Sequence, residues 1–127
     1  SEVITDKLTG RATAGDVTIT SEGGSATMQL QQGLAKVWTR YNHATPAIED
    51  SLNVASATDL GTGDARLTFT DAMSNNDFAC HATVSNNISY NSVFNGPTTT
   101  TVDIESFNSA ATNTDTAQGV TIHGDLA

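Results

Sequence analysis

A chain of 127 residues holds one domain and a short appendage, and its core must be thin, with 37% hydrophobic and 6% aromatic residues. Fourteen acidic residues stand against five basic ones, Lys7, Arg11, Lys36, Arg40 and Arg66, for a net charge of -9. That balance argues against nucleic acid and against anionic membrane surfaces, both of which are held by clustered cations, and the single cysteine, Cys80, excludes an intrachain disulfide or a cysteine-based zinc site.

Ser, Thr and Asn make up about a third of the chain. Thr favours strands, while Ser, Asn and Gly favour turns, so the bias predicts an all-β protein with short connections. At 15% charged residues the composition is not that of a disordered chain. No apolar run approaches membrane-spanning length and no signal-like segment opens the chain, so the expectation is a soluble protein without membrane insertion or Sec export. A small core without disulfides points to assembly inside a cell and to stability shared with partner subunits.

Residues 1–33 read differently from the rest. Asp16–Thr20 and Ala26–Leu30 are short alternating runs around Ser21-Glu22-Gly23-Gly24-Ser25, the pattern of a hairpin with a glycine-containing turn. So small a piece is marginal alone. It must pack on the main domain, on another copy or on a larger structure, which makes Val17, Ile19, Met28 and Leu30 candidate interface residues in a docking or oligomerisation segment.

Residues 34–127 read as strand after strand. In Leu34–Asn42, alternation puts Ala35, Val37, Thr39 and Tyr41 on one face, with Lys36, Trp38 and Arg40 on the other. Leu52–Thr58 follows a turn at Thr45-Pro46 as one strand. Asp59–Asp64 is a tight connection whose glycines supply positive φ, and Ala65, Leu67 and Phe69 then share a face. Met73–Asn76 is the next corner. Phe78, Cys80, Ala82 and Val84 point inward, with Ala79, His81 and Thr83 outward. Ile88–Phe94, Thr100–Phe107 and Gly119–Gly124 complete the series, separated by Asn95-Gly96-Pro97 and the polar tract Asn108–Gln118. The predicted architecture is a small antiparallel β-sandwich, jelly-roll-like or an open barrel, preceded by the hairpin segment.

Residues able to carry chemistry are present but not in working patterns. Asp59 and Asp64 resemble calcium-loop ligands only loosely, and a plain turn explains them better. His43, His81 and His123 would each come from a different strand, the pattern of surface or lightly buried histidines rather than a metal site. Glu49 and Asp50 are neighbours on a strand and face opposite ways, while a glycosidase needs two carboxyls across a gap. Asp103 and Glu105 share a face as ordinary strand decoration. Cys80 and His81 likewise diverge, and no nucleophile elbow is present. The expectation is no catalytic residue, no bound metal, no cofactor and no enzyme. Trp38, flanked by Lys36 and Arg40, suits a subunit interface or a sugar-stacking site.

From Gly33 to Phe78 the chain resembles a module of tail and fibre proteins of tailed bacteriophages, marine ones above all. The residues that carry this are Gly33–Asn42 (GLAKVWTRYN), Ile48, Asp50–Val54 (DSLNV), Thr58–Asp64 (TDLGTGD), Leu67–Met73 (LTFTDAM) and Phe78. Thr98–Asn108 (TTTTVDIESFN) and Val120–Asp125 (VTIHGD) resemble the closing strands of that module, and the segment from Asp16 to Leu34 its β-rich lead-in. The chain departs from the pattern at Thr39-Arg40-Tyr41 and at Ala65-Arg66, and Cys80 to Pro97 has no counterpart in it. The resemblance implies a structural component of the virion (short fibre, spike or decoration subunit), assembled in the bacterial host cytoplasm. Its partners would be other copies in a homotrimer and other virion proteins of capsid, tail or fibre. The alternative is a carbohydrate-binding adhesin in which loops at Asn86–Pro97 and Asn108–Gln118, with Trp38, Tyr90 and Asn91, contact host surface glycans.

Overall fold

The computed structural model describes residues 2–85 and 89–127. The chain forms two compact units, Ser1–Leu34 and Ala35–Ala127.

In the first unit, strands β1 (Thr18–Thr20) and β2 (Thr27–Gln29) pair antiparallel with Ile19 opposite Met28. The turn closes through Ser21 N–H to Ala26 O at 2.7 Å and Gly24 N–H to Ser21 O at 2.8 Å, with Gly24 at φ +74. A one-turn 3-10 segment, Leu30–Gly33, follows. No described residue of this unit is buried. Ile19 is 41% and Met28 52% exposed, although they pair across the hairpin. The backbone pattern is that of a hairpin, but the side chains cover almost nothing.

The second unit is a sandwich of two four-stranded antiparallel sheets. Its strands are β3 (Val37–Asn42), β4 (Ala47–Leu52), β5 (Val54–Gly61), β6 (Asp64–Phe69), β7 (Ala79–Val84), β8 (Asn91–Asn95), β9 (Thr101–Phe107) and β10 (Ala117–His123). One sheet has the order β4-β3-β10-β7 and the other β5-β6-β9-β8. Strand periodicity decides which side chains enter. Val37 and Tyr41, Leu67 and Phe69, Val102 and Ile104, and Val120 and Ile122 alternate inward and form one core with Ala65, Met73, Phe78 and Cys80.

Three local devices hold this arrangement. The segment predicted as one strand, Leu52–Thr58, is broken at Asn53, which sits at φ +58 between β4 and β5 and carries the chain from one sheet to the other. Asn tolerates that left-handed conformation, and its side chain makes the corner permanent by bonding Asp71 N–H at 2.7 Å and Asp71 O at 3.1 Å. The β5–β6 hairpin turns at Thr62-Gly63, with Gly63 at φ +63. A Cβ there would lie 2.5 Å from Ser106 O and 2.6 Å from Thr114 N, so the corner requires glycine on two counts. Gly63 also donates to Asp115 Oδ1 at 2.7 Å and accepts from Ser106 N–H at 2.8 Å, which locks the hairpin onto the loop after β9.

The third device is polar. Gln118, fully buried on β10, donates to Ser92 Oγ on β8 at 2.9 Å and to Glu105 O on β9 at 2.7 Å, and its Oε1 meets His43 Nε2 at 2.8 Å. One side chain thus ties the two sheets together from inside. His43, expected near the surface, is only 4% exposed because its ring packs edge-on against Tyr41 at 4.9 Å. Lys36, expected on the outer face with Trp38, is buried too, since its backbone N–H docks on Ile122 O at 2.8 Å just before β3 begins.

Candidate functional site

The side chains with catalytic or metal-binding capacity do not converge. Among the described residues, no group of three His, Cys, Asp or Glu side chains could hold a metal ion. Asp59 Oδ1 accepts Gly61 N–H at 3.0 Å, a local turn bond, and the carboxylate that reaches Gly63 is Asp115 rather than Asp64. His43 is held inside by Gln118, while His81 and His123 lie on the outer face of β7 and β10. Asp103 is engaged by Arg66 in a two-pronged ion pair of 2.7 and 2.8 Å. Cys80 is buried, and desolvation pushes its thiol up to about 12, so it is no nucleophile at neutral pH.

A surface depression lies on the outer face of β4-β3-β10-β7. The register places Trp38, Thr121 and His81 side by side across β3, β10 and β7, and places Arg40, Gly119 and Thr83 in the next row. The second row has a gap at its centre because Gly119 has no side chain. Around it stand five side chains that rim an open depression, a pit of about 470 Å3 over the backbone of Thr39, Gly119 and Val120. Trp38, 38% exposed, forms one wall. Arg40 forms another and is anchored by an ion pair to Glu49 from β4. The guanidinium, and after it the Asn42 amide, holds the Glu49 carboxyl below the usual carboxylate range.

A second cleft of about 380 Å3 opens between β7 and β8, the end strands of the two sheets; it is lined by Cys80, Ala82, Ser92, Val93 and Phe94 and shares His81 and Thr83 with the pit. Phe94 pairs with the buried Ile104, so it faces inward, yet it stays 37% exposed because β8 ends its sheet among the described residues.

The predicted contact residues therefore separate. Trp38 lines the pit. Tyr90 is half-buried and Asn91 begins β8 in the other sheet, and neither lines it. Of the loop positions named as glycan contacts, Asn86 and Asn87 lie outside the described residues. Gln118 is a core residue and not a loop contact. Ile19 and Met28 are exposed, with Val17 and Leu30 half-buried, in the first unit. Sequence reasoning missed Gly119, Thr121 and Thr83 as a set. The signal available was a glycine inside an otherwise β-branched, alternating strand, a place where something approaches the backbone closely. Comparison with family models, with curated proteins and with solved structures finds no match to this chain.

Proposed function

We propose that this protein is a structural subunit of a bacteriophage virion, a short fibre, spike or decoration protein that attaches through residues 1–34 and displays its sandwich outward. One observation carries the attachment half of this reading. Thirty-odd residues with a formed hairpin bury no side chain of their own, and Val3, Ile4, Leu8, Ile19, Met28 and Leu34 are all exposed. A two-stranded hairpin is marginal in water, and apolar residues left open along a whole segment are the mark of a surface made for another chain. The placement in a phage particle rests on the motif run from Gly33 to Phe78. The absence of a converging acid–base or nucleophilic set among the described residues is in keeping with a protein whose work is packing and display. A second reading, recognition of host glycans, is favoured by the pit beside Trp38.

The test has two arms. Antibody raised against the purified chain should decorate intact phage particles in electron micrographs, and light scattering of the full chain should give a homotrimer. Ile19→Asp combined with Met28→Asp should convert the trimer to monomer without lowering the melting temperature of the sandwich. A stable, monodisperse monomer together with unlabelled particles overturns the proposal.

A further inference from the structure

The geometry points to the pit on the outer face of β3, β10 and β7 as a binding site for one uncharged pyranose unit of a glycan, a proposal that rests on the glycan reading above and not on the virion assignment. The first argument is the glycine. Gly119 sits mid-strand, where glycine weakens a sheet, and nothing inside the fold asks for it. Its φ is not in the left-handed region, and a Cβ would meet only Thr83 Oγ1, at 3.8 Å. The strand has room for a Cβ at this position, and a β-branched residue would favour it. What glycine uniquely provides is a bare backbone floor between Arg40 and Thr83.

The second argument is the wall chemistry. Trp38 offers an exposed apolar ring face for the C–H side of a sugar, and Thr83, Thr121, His81 and the Arg40 guanidinium offer hydroxyl, imidazole and N–H groups to the sugar's hydroxyls. Three adjacent strands span about 10 Å, which suits one ring lying flat on the floor. A volume of about 470 Å3 lies within the range of small-ligand sites.

The third argument is charge. Arg40 is already neutralised by Glu49, and the chain carries -9 overall. An anionic sugar would meet no uncompensated cation in the pit, so the occupant is a neutral saccharide rather than a uronate.

Trp38 is the only tryptophan, so its fluorescence reports on the pit directly. Full-length protein is titrated with methyl β-glucopyranoside, methyl β-galactopyranoside, N-acetylglucosamine and, as the charged control, glucuronate. At least one neutral sugar should give a saturable change with an affinity in the millimolar range, as expected for a single ring on an open site. Glucuronate should bind at least tenfold more weakly. Gly119→Val should weaken the neutral sugar at least tenfold while its melting temperature stays at or above wild type. Trp38→Ala, followed by saturation-transfer NMR on the sugar, should lose the signal as well. No saturable change with any neutral sugar up to ~100 mM overturns the proposal. So does glucuronate binding as well as the neutral sugars, wild-type binding by Gly119→Val, or a Trp38 emission that shifts blue with protein concentration alone, which would make the pit an interface between copies. Particle labelling and the trimer test above do not depend on any of these results.

Discussion

Gln118 is the residue on which the sandwich interior depends most, because it is the one fully buried side-chain amide among the described residues and it serves three partners at once. Replacing it with Leu fills the volume but leaves His43 Nε2, Ser92 Oγ and Glu105 O facing an apolar group, each deprived of a bond in a dry place. Urea unfolding of Gln118→Leu at pH 7 should show a loss of about 2–4 kcal/mol, against about 1 kcal/mol for Ser92→Ala, which removes one arm only. Equal losses would mean that the Ser92 arm carries the network. Cys80 makes a different prediction. Its thiol rises from an ordinary 9.0 to about 12 through burial alone. Between those values the unfolded chain has lost a proton that the folded chain keeps, so this group's contribution to stability is complete below about pH 9 and fades as the pH climbs toward 12. Iodoacetamide at pH 8 should therefore label Cys80 no faster than the protein unfolds, and labelling of the folded protein at a free-thiol rate would contradict the burial. Asp64 runs the opposite way from a stabilising carboxylate. Desolvation first, and then the nearby Asp103, raise its pKa, while His43 and Arg66 pull it down less. A raised carboxyl is a group whose ionised form the fold disfavours, so Asp64→Asn should raise the melting temperature at pH 7 and show no gain once the pH falls below the usual carboxylate range.

At the level of elements, the β5–β6 hairpin is where local chemistry and tertiary contact meet. The Gly-Thr-Gly run reads as a turn from sequence, and it is one, but the reason that Gly63 cannot change is not the turn alone. Ser106 of β9 and Thr114 in the loop after it press on Gly63 from more than forty residues away. Gly63→Ala should cost about 2–4 kcal/mol in chemical denaturation, more than the ~1 kcal/mol that a positive φ accounts for alone. Gly96→Ala, also at a left-handed φ of +51 but with only ordinary contact to Asp103 Oδ2 at 3.6 Å, should cost about 1 kcal/mol. A similar loss at both sites would show that the close approach contributes nothing. The open ends of the two sheets, β7 and β8, are also a property of elements. Phe94 and Val93 remain exposed there, and unpaired strand ends with apolar side chains invite another chain.

On the scale of the whole molecule, all twelve residues of the hydrophobic core belong to the second unit. A fragment spanning residues 35–127 should therefore melt within a few degrees of the full chain while failing to assemble. A large drop in its melting temperature would mean that residues 1–34 stabilise the sandwich and are not reserved for an outside partner.

Apart from β4, which was not read as a strand, and the corner at Asn53, strands, inward faces and turns were legible from the amino-acid order, because a period of two and the preferences of glycine, asparagine and proline act over a few neighbours. Leu67, Phe69, Cys80 and the Gly63 corner are cases in point. Three things were decided only when the chain closed on itself. Asn53 became a corner because Asp71, eighteen residues later, was there to hold it. Lys36 and His43 went inside because docking on β10 and packing on Tyr41 removed them from water. The pit exists because antiparallel register set Gly119 between Arg40 and Thr83, and register depends on which strands become neighbours, a long-range choice that no local pattern contains.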